Sequence, residues 1–431
     1  MDNFLNNILK HRIFALSYIG LLSGIFFILA FFSNKYTPLS FLSPFASMLN
    51  PLNEDELKNG YEIFGFAPYW TLDKLDNIDF NVLTTLAYFG VEVDSDGLLI
   101  KDGGYNNFHS EKATNLFKKA HKNGTRVVLT LTQMDNAKIE SFLDSPTAQK
   151  KAIDESVNLV LGRGIDGVNI DFEYSGNPGD EYRNKFSAFV KNLSQKMHSA
   201  HDEAHVTVSV YASAGKTRQL YDLSLLSNST DGIFMMAYDF ATAGSENAIP
   251  TSPLYGHKDG QYWYDVSTAV EDFLKVMPKE KLILGLPWYG YNYPVGSPQI
   301  KAPKDYGYYA YAYNRRGYRY SYFVPRQGAH AQTYTLASEN ITPEQEGWDE
   351  KGQVGWKAYK DESGQWRMIF LDDVRSLGVK YDFAKEKGLG GVGMWALGFD
   401  HGKKELWTLL NDKFGTKLVD VRIKNRQIYG I

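Results

Sequence analysis

Cysteine is absent from all 431 residues, which excludes disulfides, thiolate nucleophiles, thiolate metal sites and a lipid-modified N-terminal cysteine. Positive charge is not in excess either. There are 46 Lys and Arg against 50 Asp and Glu, a formal net charge of −4, so no basic surface signals a nucleic-acid partner. Walker loops, dinucleotide fingerprints and a nucleophile elbow with its partners are missing, and no cofactor is expected. Repeats and low-complexity tracts are missing too. His198, His201 and His205 are spaced suggestively, but they lie at a helix end before a strand and read as a solvated face, so no metal is expected. What is present is an ordinary globular composition, 43% hydrophobic and 22% charged, with a high 15% of aromatics. Most of those rings must be core. A surplus of Tyr and Trp also suits a groove that stacks on sugars.

The N-terminus departs from this. Residues 13–32, IFALSYIGLLSGIFFILAFF, carry no charge and are long enough to cross a bilayer. Lys10 and Arg12 precede the run and Lys35 follows, which puts residues 1–12 in the cytoplasm and the rest outside. The run ends in bulky Ala30-Phe31-Phe32 rather than a small-x-small site, so an uncleaved anchor is expected, with a cleaved signal peptide as the alternative. Without cysteines, an extracytoplasmic domain fits a bacterial cell surface. Residues 33–60 are broken by prolines and turn formers and read as a linker of at most ~90 Å reach.

From residue 61 to 431, short apolar runs alternate with helical patterns. The strand candidates are 61–70, 81–93, 126–133, 166–173, 205–212, 231–240, 281–290 and 391–398. In the helix after Ser145, that serine caps, Pro146 opens the first turn, Gly162 stops, and Ile153, Val157, Val160 and Leu161 share a face. Phe186, Phe189, Val190, Leu193 and Met197 line the next helix. The expected fold is an α/β (β/α)8 TIM barrel, with a doubly wound open sheet as the alternative. The long gap before the last strand, including a hairpin turning at Asp361-Glu362-Ser363-Gly364, implies a small α+β insertion at about 291–371. It follows the seventh strand, on the face where barrel active sites lie.

The fourth strand, DGVNIDFE (166–173), poses the chemical question. Val168, Ile170 and Phe172 share one face, while Asn169, Asp171 and Glu173 share the other. A structural strand would not aim charge into a barrel without a partner. Residues two apart are ~6.6 Å apart along a strand, close enough that two carboxyls in a poorly screened site resist ionising together. One then keeps a proton and can act as a general acid, while its neighbour steadies positive charge.

DGVNIDFE resembles the Asp-x-x-Asp-x-Asp-x-Glu signature of the family 18 glycoside hydrolases, the chitinase family, with Asn169 at the second position where many members have Asp. MMAYD (235–239) resembles the family's Met-x-Tyr-Asp strand, GLPWYGYNY its seventh-strand region, and Trp395 the Trp at the end of the eighth strand. The later segments look most like the bacterial branch of spore-cortex and cell-wall glucosaminidases. The third strand, LTLTQ, lacks the family's Ser-x-Gly-Gly.

The resemblance implies a retaining, substrate-assisted reaction on β-1,4-linked N-acetylglucosamine glycans, chitin or peptidoglycan, in which the substrate's acetamido oxygen is the nucleophile. It implies Glu173 as acid/base, Asp171 as partner of the acetamido N–H and Tyr238 as holder of its carbonyl. Asp166 and Asn169 would orient Asp171. Trp395 would floor the pocket, and Met236, Asp239, Tyr289 and Trp70 would complete the substrate site. Tyr69 and Trp288 are further groove candidates, with core packing as the alternative for the aromatics Trp70, Tyr69, Trp288 and Tyr289. The competing functions are a sugar-binding, non-hydrolytic lectin on the same fold, against which Glu173 speaks, and a surface scaffold.

Overall fold

The computed structural model describes residues 60–339, 341–415 and 421–430. The expected anchor at 13–32, its flank at 1–12 and the linker up to residue 59 lie outside the described residues. Among the described residues no helix is long and apolar enough to cross a membrane.

Eight parallel strands close into a barrel: β1 (Glu62–Pro68), β2 (Thr85–Glu92), β3 (Arg126–Gln133), β4 (Gly167–Phe172), β5 (His205–Tyr211), β6 (Gly232–Met236), β7 (Leu282–Pro287) and β15 (Gly391–Trp395). β1 pairs with both β2 and β15, which rules out the open-sheet alternative. Strand parity sorts the side chains. Val168, Ile170 and Phe172 of β4 are fully buried in the sleeve between sheet and helices, together with Phe186, Phe189, Val190, Leu193 and Met197 of the helix Asp180–Ala200. The other parity fills the barrel with a smaller aromatic cluster that includes Phe64, Phe66, Phe89 and Phe234. Phe234 needs bare backbone beside it: a Cβ on Gly285 or Gly393 would lie 2.3 Å from its ring.

The helix Pro146–Arg163 starts as its sequence reads, with Ser145 Oγ accepting from the Ala148 N–H at 3.2 Å. It ends later than Gly162. Gly164 takes the left-handed conformation (φ 69°), and its N–H bonds the Leu161 carbonyl at 3.1 Å. Leu161 is 42% exposed and falls outside the buried face.

Between β7 and β15 the chain builds a five-stranded antiparallel sheet from β8 (Tyr289–Pro294), β11 (His330–Thr333), β12 (Gln345–Asp349), β13 (Val354–Lys360) and β14 (Trp366–Leu371), in the order β11-β8-β14-β13-β12. β13 and β14 form a hairpin, with Lys360 opposite Trp366. Tyr293, Val295, Ala302, Val354, Met368 and Phe370 form the core of this sheet. A separate hairpin, β9 (Gly307–Tyr313) with β10 (Arg319–Pro325), leaves the sheet after β8.

Candidate active site

Strands β4, β5, β6 and β15 deliver side chains of inward parity to the C-terminal mouth of the barrel. There they line a cavity of about 480 Å³. Asp171 is the last inward residue of β4. Glu173 follows the strand and is tied by its N–H to the Gln133 carbonyl at 2.9 Å. Asp171 is almost fully buried, and its Oδ1 has no hydrogen-bond partner. Burial, and then the neighbouring Glu173 carboxylate, push the Asp171 carboxyl well above its ordinary range. Burial likewise raises Glu173; a hydrogen bond from Tyr211 opposes the rise and the charge of Asp239 adds to it. Two carboxyls with raised pKa thus face one cavity, an arrangement that retains a proton for donation.

Tyr238 follows β6 and lines the same cavity. Burial, then Asp171, Glu173 and Asp239, hold its phenol far above its ordinary range, so it stays a neutral hydrogen-bond donor. Asp239 adopts φ 57°, an uncommon conformation for a residue with a side chain. Three hydroxyls fix it there: Tyr289 at 2.6 Å, Tyr291 at 3.0 Å and Thr251 at 3.2 Å all donate to Oδ1. Two of those donors belong to β8 of the inserted sheet. Trp395 meets Phe89 edge-to-face at a centroid distance of 4.7 Å and Trp70 at 6.4 Å, which lays an aromatic surface along one side of the cavity. Met236 also lines the cavity.

Of the ten residues expected from the sequence, eight line this cavity: Trp70, Asp171, Glu173, Met236, Tyr238, Asp239, Tyr289 and Trp395. Asp166 and Asn169 do not. Asn169 sits one layer down, accepting from Thr207 Oγ1 at 2.8 Å and donating to Ser209 Oγ at 3.0 Å. Asp166 precedes β4, at the opposite end of the barrel. It pairs with Arg426, bonds His121 Nε2 at 2.6 Å and accepts the Val127 N–H at 2.7 Å. Its carboxylate ties the C-terminal segment to the barrel floor, away from any substrate. Trp288 is also not in the groove: it is fully buried against Trp407. Tyr69 packs on Trp70 and does not line the cavity.

The sequence matches the glycosyl hydrolases family 18 over residues 62–400. This chain belongs to that family. It is a glycosidase. Di-N-acetylchitobiase of Rattus norvegicus is 26% identical over 328 residues, 74% of this chain and 77% of the relative. The cortical fragment-lytic enzyme of Bacillus subtilis is 22% identical over 342 residues, 77% and 68% of the two chains. Among solved structures, the Bacillus cereus spore cortex-lytic enzyme SleL shares the fold with a TM-score of 0.61 at 20% identity, covering 83% of this chain and 75% of that one.

Sequence reasoning missed four cavity residues of consequence: Tyr211, Met134, Phe89 and Trp263. Tyr211 had a readable signal. In HVTVSVYA the inward parity runs Thr207, Ser209, Tyr211, polar where a structural strand would be apolar. Trp263 had none. It reaches the cavity from a loop after β6, where its indole N–H donates to the Phe240 carbonyl at 2.6 Å.

Proposed function

We propose that this family 18 glycosidase is a membrane-anchored, retaining N-acetylglucosaminidase that cleaves β-1,4 bonds of peptidoglycan or chitin-like glycans by substrate-assisted catalysis. Glu173 donates its proton to the glycosidic oxygen as the bond to the anomeric carbon breaks. The 2-acetamido carbonyl oxygen of the substrate attacks that carbon and forms an oxazolinium ion. Asp171 accepts the acetamido N–H and balances the positive charge, and Tyr238 donates to the acetamido oxygen and aligns it. Glu173, now a carboxylate, takes a proton from water, which opens the ring with retained configuration. Trp395 and Trp70 carry the sugar faces, and Met236, Asp239 and Tyr289 shape the subsite around them.

The observation that carries this reading is the placement of Asp171, Glu173 and Tyr238 on one cavity, with both carboxyls raised and the phenol neutral. The apolar run at 13–32, read as an anchor, favours cell-wall glycan over external chitin. The decisive experiment is Glu173→Gln, assayed by mass spectrometry on purified peptidoglycan and chitin oligomers. Hydrolysis is expected to fall by about 10³-fold or more, with sugar binding retained. Turnover at the wild-type rate rejects the assignment, and sugar binding without turnover in the wild type points to a lectin.

A further inference from the structure

The β9–β10 hairpin has a composition that packing does not explain. Tyr309, Tyr311 and Tyr313 project from one face of β9, 67%, 61% and 71% exposed. Tyr320 and Tyr322 project from the opposite face of β10, each about half exposed. Register places Tyr311 opposite Ser321 and Tyr309 opposite Phe323, so the first face is a ladder of rings at ~6.8 Å intervals along the strand. A two-stranded hairpin with both faces in water gains little from its own burial. Large exposed aromatic patches mark contact surfaces.

Charge narrows the partner. Between residues 305 and 327 there is one acid, Asp305, against four bases, Arg315, Arg316, Arg319 and Arg326, in a chain that is net negative. Only Arg326 has a carboxylate within reach among the described residues, Asp305 at 3.7 Å. Arg319 lies 3.8 Å from the Tyr311 ring centre, which holds its guanidinium on the aromatic face. Hydroxyl-bearing rings, rather than Leu, Ile or Trp, offer stacking together with hydrogen bonding, which suits a sugar face better than an acyl chain. In the chain the hairpin follows β8, the strand whose start supplies Tyr289 and Tyr291 to Asp239.

We propose that this hairpin is an accessory binding surface for a carboxylate-bearing N-acetylated glycan strand: tyrosines stack on sugar rings and the unpaired arginine forks take the carboxylates of the wall polymer. It thereby selects anionic peptidoglycan over neutral chitin. The proposal rests on the glycan reading above, but its test needs no turnover. Full-length Glu173→Gln protein is co-sedimented with peptidoglycan sacculi, with sacculi whose carboxyls have been amidated, with crystalline chitin and with phosphatidylglycerol vesicles. It is compared with the same protein carrying Tyr309→Ser, Tyr311→Ser and Tyr313→Ser, or Arg315→Gln, Arg316→Gln and Arg319→Gln. Both triple variants are expected to bind intact sacculi about tenfold more weakly. Amidation is expected to reduce the parent to the level of the arginine variant, and the arginine variant is expected to bind chitin as the parent does. The arginine variant keeps every tyrosine and decides the matter if the tyrosine variant does not fold. Unchanged binding to sacculi overturns the proposal. So does an equal loss on chitin in the arginine variant, or a loss confined to vesicles, which would make the hairpin a membrane contact. Hydrolysis surviving in Glu173→Gln would fail the catalytic reading and leave this result standing.

Discussion

At the scale of single residues, the acid is tuned by a phenol that is not in the carboxylate strand. Tyr211 hydrogen-bonds Glu173 and counters the rise that burial imposes. Tyr211→Phe removes that donor, so the Glu173 carboxyl moves further up and the alkaline limb of the kcat/KM profile moves to higher pH. A packing role would lower kcat without moving the limb, so a superimposable profile refutes the tuning. The alternation that exposed Asp171 and Glu173 was legible because strand parity is strict and charge inside a barrel is costly. Asp166 was misread for the same reason that its neighbours were read well. A signature treats its positions as one unit, whereas four residues of strand carry the first acid to the far end of the barrel. Trp288 and Tyr289 are adjacent, and the fold buries the first and brings the second to the cavity. Pattern alone could not choose between them.

At the scale of elements, an ion pair ties the C-terminal segment to the barrel floor. Asp166 is fully buried, and Arg426, on the C-terminal segment, is its cationic partner. Arg426→Met strands that carboxylate and is expected to cost about 3–5 kcal/mol of unfolding free energy, read from the denaturant midpoint. Turnover by the folded fraction should persist, because the pair lies at the opposite end of the barrel from the cavity. A midpoint within error of wild type means that His121 and the Val127 N–H suffice. Barrel strands and their helices were readable from periodicity, and the β13–β14 hairpin from its turn residues. The inserted sheet's strand order was not, because antiparallel neighbours far apart in sequence leave no periodic mark. Nor was the stop at Gly164, where the left-handed turn packs so closely that a Cβ would lie 2.2 Å from the Gln427 carbonyl.

At the scale of the whole molecule, the cavity carboxyls set a pH dependence of stability. Folded pKa values raised above the unfolded values of ~3.9 and ~4.3 mean that the native state holds its protons longer. Their effect is absent below about pH 4 and destabilises progressively as pH rises through the folded values. Asp171→Asn is therefore expected to raise the unfolding midpoint relative to wild type at pH 8 and to leave it nearly unchanged at pH 4, while activity is lost. An equal shift at both pH values would assign the effect to packing. Glu62 at the barrel floor works in the opposite sense. Arg126 and other polar neighbours outweigh its burial and hold it at about 2, so its contribution is present near neutrality and fades only in strong acid.

The clasp on Asp239 couples two parts of the fold. Its tyrosine jaws belong to the flanking sheet, yet the charge they restrain acts on the Glu173 carboxyl. The seating of that sheet therefore bears on the acidity of a side chain outside it, through one carboxylate held between them.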